Sequence, residues 1–388
     1  MRLDAASAAG FAFAVALSGL TAACIFSSPP AAKNDDGATV TSAITSNGMT
    51  SASSSTTSTS AGSTAATITT GTGGTGGGMF PPVVLPTPPG AGGVPRPAGE
   101  AGGVTALDWA GFTGAVSYTF DDSNSSQIQN YGALQALGVR MTFYLQTNKT
   151  DASSPIWAQA LDDGHELGNH THSHGMEDDG SDTDAATQFI ESHFGVTPLT
   201  MAAPYGADGY KAVASTRFLI NRGVRGGLVQ PNDDTDPFSL FCYIPAENAA
   251  ADAFNAQVDS ARSGGGWHVV LVHGFTGGSD GAFQPVAFAE FVAAVEYAKS
   301  LGDMWLDSVL NIGAYWLGQK AFASANSDVD PSGAITYTWT LPAHFPSGRV
   351  LRVTASGGTL SQGGRELTWN ELGYYEVSLD ELSLTVAP

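Results

Sequence analysis

The chain has 388 residues, and its 15 Lys and Arg against 36 Asp and Glu give a formal charge of −21. So acidic a surface repels phosphate backbones, which argues against nucleic acid as a partner and fits a charge that serves solubility. Only two cysteines are present, Cys24 and Cys242, so no disulfide framework can be drawn.

The chain opens with Arg2 and an apolar run from Ala8 to Leu20. That run is about a dozen residues, too short to span a bilayer and suited to the core of a signal peptide. Thr21-Ala22-Ala23-Cys24 resembles the lipobox of bacterial lipoproteins, in which the Cys is lipidated, although Leu20 lies one place further from the Cys than the usual pattern. Residues 1–24 are therefore read as a signal peptide with a lipid anchor at Cys24, an ordinary cleaved signal being the alternative. Either way the protein is exported from a bacterial cell, as an envelope lipoprotein or a secreted protein, and it meets a membrane only through that lipid. Residues 25–100 read as linker: 50–78 are Ser, Thr, Ala and Gly apart from Ile68, and seven prolines fall between Pro81 and Pro97. Such a chain cannot bury enough apolar surface to fold, and its reach is on the order of 50 Å.

From Ala115 strand-like and helix-like stretches alternate. The pattern predicts strands at Ala115–Phe120, Met141–Leu145, His165–Asn169, Trp267–Val272 and Met304–Leu306, and helices at Ser126–Leu137, Ile156–Leu161 and Pro285–Lys299. Repeated units of this kind imply a parallel α/β sheet, open or closed into a barrel, with its chemistry at the C-terminal ends of the strands. Polar residues gather at those ends: Asp121-Asp122 after the first strand, His170 to His174 after the third, and His273 after Trp267–Val272. Two imidazoles and a carboxylate make a facial ligand set that leaves positions open on a metal. Cys242 is read as buried packing, His172 as facing away between the ligands, His193 and His344 as surface residues, and His165 and His268 as structural.

These residues resemble the NodB-homology polysaccharide deacetylases, the family-four carbohydrate esterases, over roughly Val104 to Gly318. Thr119-Phe120-Asp121-Asp122 is similar to the family's first motif, His170-Thr171-x-x-His174 to the second, Ala203-Pro204-Tyr205-Gly206 to the third, and Leu271-Val272-His273 to the fifth. The resemblance implies a distorted (β/α) barrel over 101–323. It implies Asp122, His170 and His174 as metal ligands, with zinc first and cobalt or nickel as alternatives. Asp121 would be the general base, His273 the general acid, and the Tyr205 N–H, beside Pro204, a donor to the oxyanion. At the level of sequence, Asp121 as a second carboxylate ligand stays open. The function implied is hydrolysis of N- or O-acetyl groups from a glycan, by a monomer.

Two departures stand out. The third motif usually begins with an Arg that orients the catalytic Asp, and here that position is Ala202; Arg222 or Arg225 could replace it. The fourth motif is not recognisable, and Trp305 with Asp307 could serve as acetyl-pocket wall and His273 partner, the alternative being a core Trp beside a surface Asp. Both departures favour a second reading, a catalytically impaired carbohydrate-binding lipoprotein on the same fold.

After Ala325 the pattern becomes β-rich, with strands expected at Ile335–Leu341, Val350–Ala355, Glu366–Trp369, Tyr374–Leu379 and Ser383–Val386. Residues 326–388 thus read as a small antiparallel β-sandwich. Its Trp339, Trp369, Tyr374 and Tyr375 either stack on sugar rings or fill the sandwich core.

Overall fold

The structure is a computed structural model that describes residues 84–388. The expected signal peptide, the Cys24 anchor and most of the linker lie outside the described residues. Among these, no helix is long and apolar enough to cross a membrane.

In chain order, β1 (Val104–Ala106) precedes β2 (Gly114–Phe120), whose seven residues are all buried. Such a run, covered on both faces, is what a central parallel strand requires. Strand–helix units follow: α1 (Ser125–Ala136), β3 (Thr142–Leu145), α2 (Ile156–Asp162), β4 (Glu166–Asn169), α3 (Ser181–Phe194), β5 (Thr200–Ala202), α4 (Tyr210–Ser215) and β6 (Ile220–Arg222). After a long irregular segment come α5 (Ala251–Gly264), β7 (Trp267–Val272), α6 (Phe288–Ser300), β8 (Met304–Leu306) and α7 (Val309–Ala323).

The parallel sheet runs β6-β5-β4-β3-β2-β7, with β8 paired to the first half of β2. Between the end strands, Leu240 bridges to Arg222 and Tyr243 to Val270, so irregular chain fills the gap. The result is a distorted (β/α) barrel. Its parallel order turns the C-terminal ends of β2, β4, β5 and β7 to one rim.

The tail forms β9 (Asn326–Val329), β10 (Ile335–Thr338), β11 (Val350–Ala355), β12 (Thr359–Gln362), β13 (Arg365–Glu366), β14 (Trp369–Asn370), β15 (Tyr374–Ser378) and β16 (Ser383–Ala387). They pair antiparallel in two sheets, β1-β11-β15-β14 and β13-β12-β16-β10-β9. The strand expected at Glu366–Trp369 is divided, its ends serving different sheets.

Three boundaries differ from the sequence reading. First, β1 belongs to the tail's sheet, with Val104 opposite Ala355. Second, residues 84–100 are not all linker: Leu85 is buried, Arg352 donates to the carbonyls of Leu85 and Pro86, and Trp369 Nε1 donates to Val94. Third, barrel and tail share a single core, in which Trp267, Trp305 and Trp316 lie with Leu351, Tyr375 and Leu379. The helix between them, α7, has eleven buried residues in fifteen, and a Cβ at its Gly318 would lie 2.5 Å from Leu379 Cδ1. Trp339, Tyr374 and Tyr375 are buried and Trp369 is half-buried, so these aromatics fill the sandwich and its edges rather than an exposed sugar platform.

Candidate metal and catalytic centre

The rim is shaped by backbone that L-residues rarely adopt. Asp122, Ser123, Thr171, His174 and Tyr205 all have φ between 54° and 74°. Each such residue costs on the order of 1–3 kcal/mol, and such strain persists where surroundings over-determine it, as at active sites. Here the surroundings are visible. After β4, Asn169 Oδ1 accepts from the Thr171 N–H, Thr171 Oγ1 accepts from the His174 N–H, and the Asp182 carboxylate accepts from the Ser173 N–H. The His170–His174 segment is therefore a pinned loop that folds both imidazoles back over the end of β2.

Three ligand atoms converge there. His170 Nε2 lies 3.3 Å from Asp122 Oδ1, His174 Nε2 lies 3.6 Å from the same oxygen, and the two Nε2 atoms are 3.1 Å apart. An ion held at about 2.0–2.2 Å from each donor spaces its ligands about 3–3.5 Å apart, so the set fits one divalent cation. The tautomer fits as well: His170 Nδ1 donates to the Ala202 carbonyl at 2.8 Å, which leaves Nε2 with its lone pair for a metal. Among the described residues, this is the group of three or more metal-ligating side chains that converges on one point.

Asp121 faces elsewhere. Both its carboxylate oxygens accept from a single Arg222 nitrogen, one at 2.6 Å, and Arg222 is fully buried. Its Oδ2 is 3.6 Å from His170 Nε2, beside the ligand cluster. Ala202 and Arg222 stand opposite each other in the β5–β6 register, so the guanidinium missing at 202 arrives from the neighbouring strand. Arg222 also lies over the Tyr144 ring, with Cys242 Sγ 3.9 Å from its Nη1. Cys242 is the buried packing residue expected, its thiol pushed up to about 11 by burial. Gln127 ties the ends of β2 and β7 together, its Nε2 donating to the carbonyls of Asp121 and His273.

Charge in this pocket is strongly coupled. Burial alone would raise the Asp122 carboxyl, but the His170 hydrogen bond and charge, with His273 and Lys149, hold it well below the usual range. Burial opposes the His170 cation, and the carboxylates of Asp121 and Asp122 raise it above its ordinary value. Burial, reinforced by His170, pushes His174 down to about 4, so it is neutral at physiological pH. Burial also lowers His273, against the pull of Asp121 and Asp122, making it a stronger acid than a free imidazole.

The remaining predicted residues divide. Tyr205 is exposed at the rim and packs edge-on against His174, ring centroids 4.6 Å apart, with Pro204 buried beneath. Trp305 is instead in the core, against Phe112 and Tyr315, its Nε1 donating to Asp307. Asp307 is buried too and bonds Arg140, the Ser308 N–H and Asn311, which is a structural role in place of the expected partnership with His273. His172 faces away, bonded to Thr147 Oγ1, and His165 is held between Met141 and Gln135. His193 and His344 are exposed. Sequence reasoning missed Gln127 and Phe283. The ring of Phe283 stands edge-on to His273 at 5.3 Å, and an aromatic in the Gly-rich stretch ten residues past a candidate acid was the available signal.

Residues 113–219 match the family model described as polysaccharide deacetylase. Over 189 residues, 42% of this chain, the sequence is 29% identical to a gellan lyase from Bacillus sp, and it spans 7% of that relative's length. Among solved structures, a family 4 carbohydrate esterase from Streptomyces lividans in complex with acetate is similar at 23% identity and a TM-score of 0.35, covering 52% of this chain and 95% of that one. A polysaccharide deacetylase from Bacillus cereus is similar at 17% identity and a TM-score of 0.36, covering 50% and 91%.

Proposed function

We propose that this chain hydrolyses acetyl groups, on nitrogen or oxygen, from a polysaccharide or oligosaccharide, with one divalent cation held by Asp122, His170 and His174. The observation that carries this is the convergence of those three ligand atoms beside the buried Asp121–Arg222 pair. The cation, zinc in the first instance, supplies Lewis-acid activation of the carbonyl and of a water. Asp121, fixed by Arg222 next to the ligands, takes the proton as water attacks. His273 delivers a proton to the departing amine or alkoxide, its main chain set by Gln127 and Asn124. The Tyr205 N–H is assigned to the oxyanion. Arg222 supplies the guanidinium whose absence at position 202 favoured an impaired, binding-only protein, so the catalytic reading is preferred. Export, a lipid anchor at Cys24 and a monomeric state belong to the same proposal.

The test is acetate release from chitin oligomers, peptidoglycan and acetylated xylan, with and without a chelator. Chelator-sensitive release from at least one of them is expected. Binding to these glycans with no release from any would favour the impaired reading.

A further inference from the structure

Among the described residues only eight large hydrophobic side chains are exposed, and two of them, Tyr205 and Phe283, are aromatic. Both stand edge-on to a histidine of the candidate centre, Tyr205 to His174 and Phe283 to His273. Each is 59% exposed; single exposed aromatics are ordinary, so it is the place of both rings beside the candidate centre that sets them apart. In the sheet order β5 and β7 lie on either side of β2–β4, so the two rings flank the ligand cluster from opposite sides.

Phe283 is held in place. It sits on the loop between β7 and α6, whose base is closed by Thr276 N–H to Val286 O and Val286 N–H to Gly274 O. Asp280 anchors the loop to the start of α1, accepting from the Ser126 N–H at 2.7 Å. Gly274 lets the chain pass close: a Cβ there would lie 2.6 Å from Ser126 Oγ and 2.7 Å from Ala282 Cβ. The ring is thus presented beside the proposed acid by a braced loop.

We propose that Phe283 is a specificity-determining residue, the wall of a subsite that stacks on the apolar face of a pyranose ring next to the reacting acetyl group. This rests on the deacetylase reading. The chemistry that recognises the ligand is CH-to-ring contact, which a neutral sugar offers and a simple acetyl ester does not.

The test compares the intact protein with Phe283→Ala, Phe283→Leu and Phe283→Trp. The substrates are N-acetylated chitotetraose, or whichever acetylated glycan the wild type hydrolyses, and sugar-free ethyl acetate. Loss of the ring should raise KM for the oligosaccharide by roughly three- to tenfold in the Ala and Leu variants, with kcat little changed. Phe283→Trp should restore it, and hydrolysis of ethyl acetate should be alike in all four proteins. Unchanged KM in the Ala variant, or an equal fall on both substrates, would overturn the proposal. If the wild type releases no acetate from any glycan, the deacetylase reading fails separately, and the subsite is read by calorimetric titration with chitotetraose. Binding by the wild type that is weakened in Phe283→Ala then supports the subsite, and absence of wild-type binding overturns it.

Discussion

Replacing Arg222 by methionine removes the guanidinium from Asp121 while keeping much of the volume. Both partners are buried, Arg222 fully and Asp121 to 2% exposure, so water cannot take over the lost bonds. Breaking such a pair from one side costs about 3–5 kcal/mol, because the other charge is left buried without its partner. Asp121→Asn in the same background removes that stranded charge, so the double variant should be more stable than the sum of the singles implies. The coupling should be on the order of 2–3 kcal/mol. Urea unfolding of the four proteins measures it, and additivity within about 0.5 kcal/mol would refute the pairing. The single Arg222→Met variant should keep its metal, since no ligand is touched, yet lose acetate release.

Asp121→Asn and Asp122→Asn should fail differently: the first keeps metal and slows turnover by roughly 10²–10⁴, the second loses occupancy, and equal metal loss would reassign the roles. His165 accepts from the Met141 N–H through Nδ1 and so is buried neutral, its pKa lowered to about 4 by burial. Because the folded value lies below the unfolded one, stability is complete above about pH 6.5 and falls as pH drops toward 4, by about 2 kcal/mol at pH 5. Urea midpoints of wild type and His165→Gln at pH 7 and pH 5 check this, and parallel shifts would contradict it. Deleting residues 326–388 should give unfolded or aggregated protein with no activity on any substrate, since Leu351, Tyr375 and Leu379 share the core of α7. Circular dichroism of the truncation decides, and a folded product would contradict the shared core.

The barrel strands were legible because β2 and β7 are continuous runs of β-rich residues with polar residues at one end. The candidate ligands lie at those ends, while the choice of Asp122 over Asp121 comes from the family resemblance. Arg222 was only one of two candidates, because its closeness to Asp121 is created by the β5–β6 register and by an irregular bridge to Leu240. α7 was missed because it is buried nearly all round, which erases the polar stripe that marks a helix in sequence. The same burial hid the union of barrel and tail: Leu341–Pro388 carries strand patterns, but nothing in them says which sheet packs on α7. Trp305 stayed open between pocket wall and core because sharing a strand face with Asp307 does not tell which side of the sheet that face meets. The prolines of 84–100 suggest linker, although extended proline-rich chain can lie along a surface and bury residues such as Leu85 and Pro88.

The central claim is that acetyl hydrolysis depends on one cation held by Asp122, His170 and His174. The most direct measurement strips the full chain of metal, adds zinc in steps, and follows bound zinc and acetate release from the preferred glycan in the same samples. The account predicts no release from the stripped protein and a rise that levels off at one zinc per chain, absent in His170→Ala. Full release by protein shown to be metal-free would contradict it.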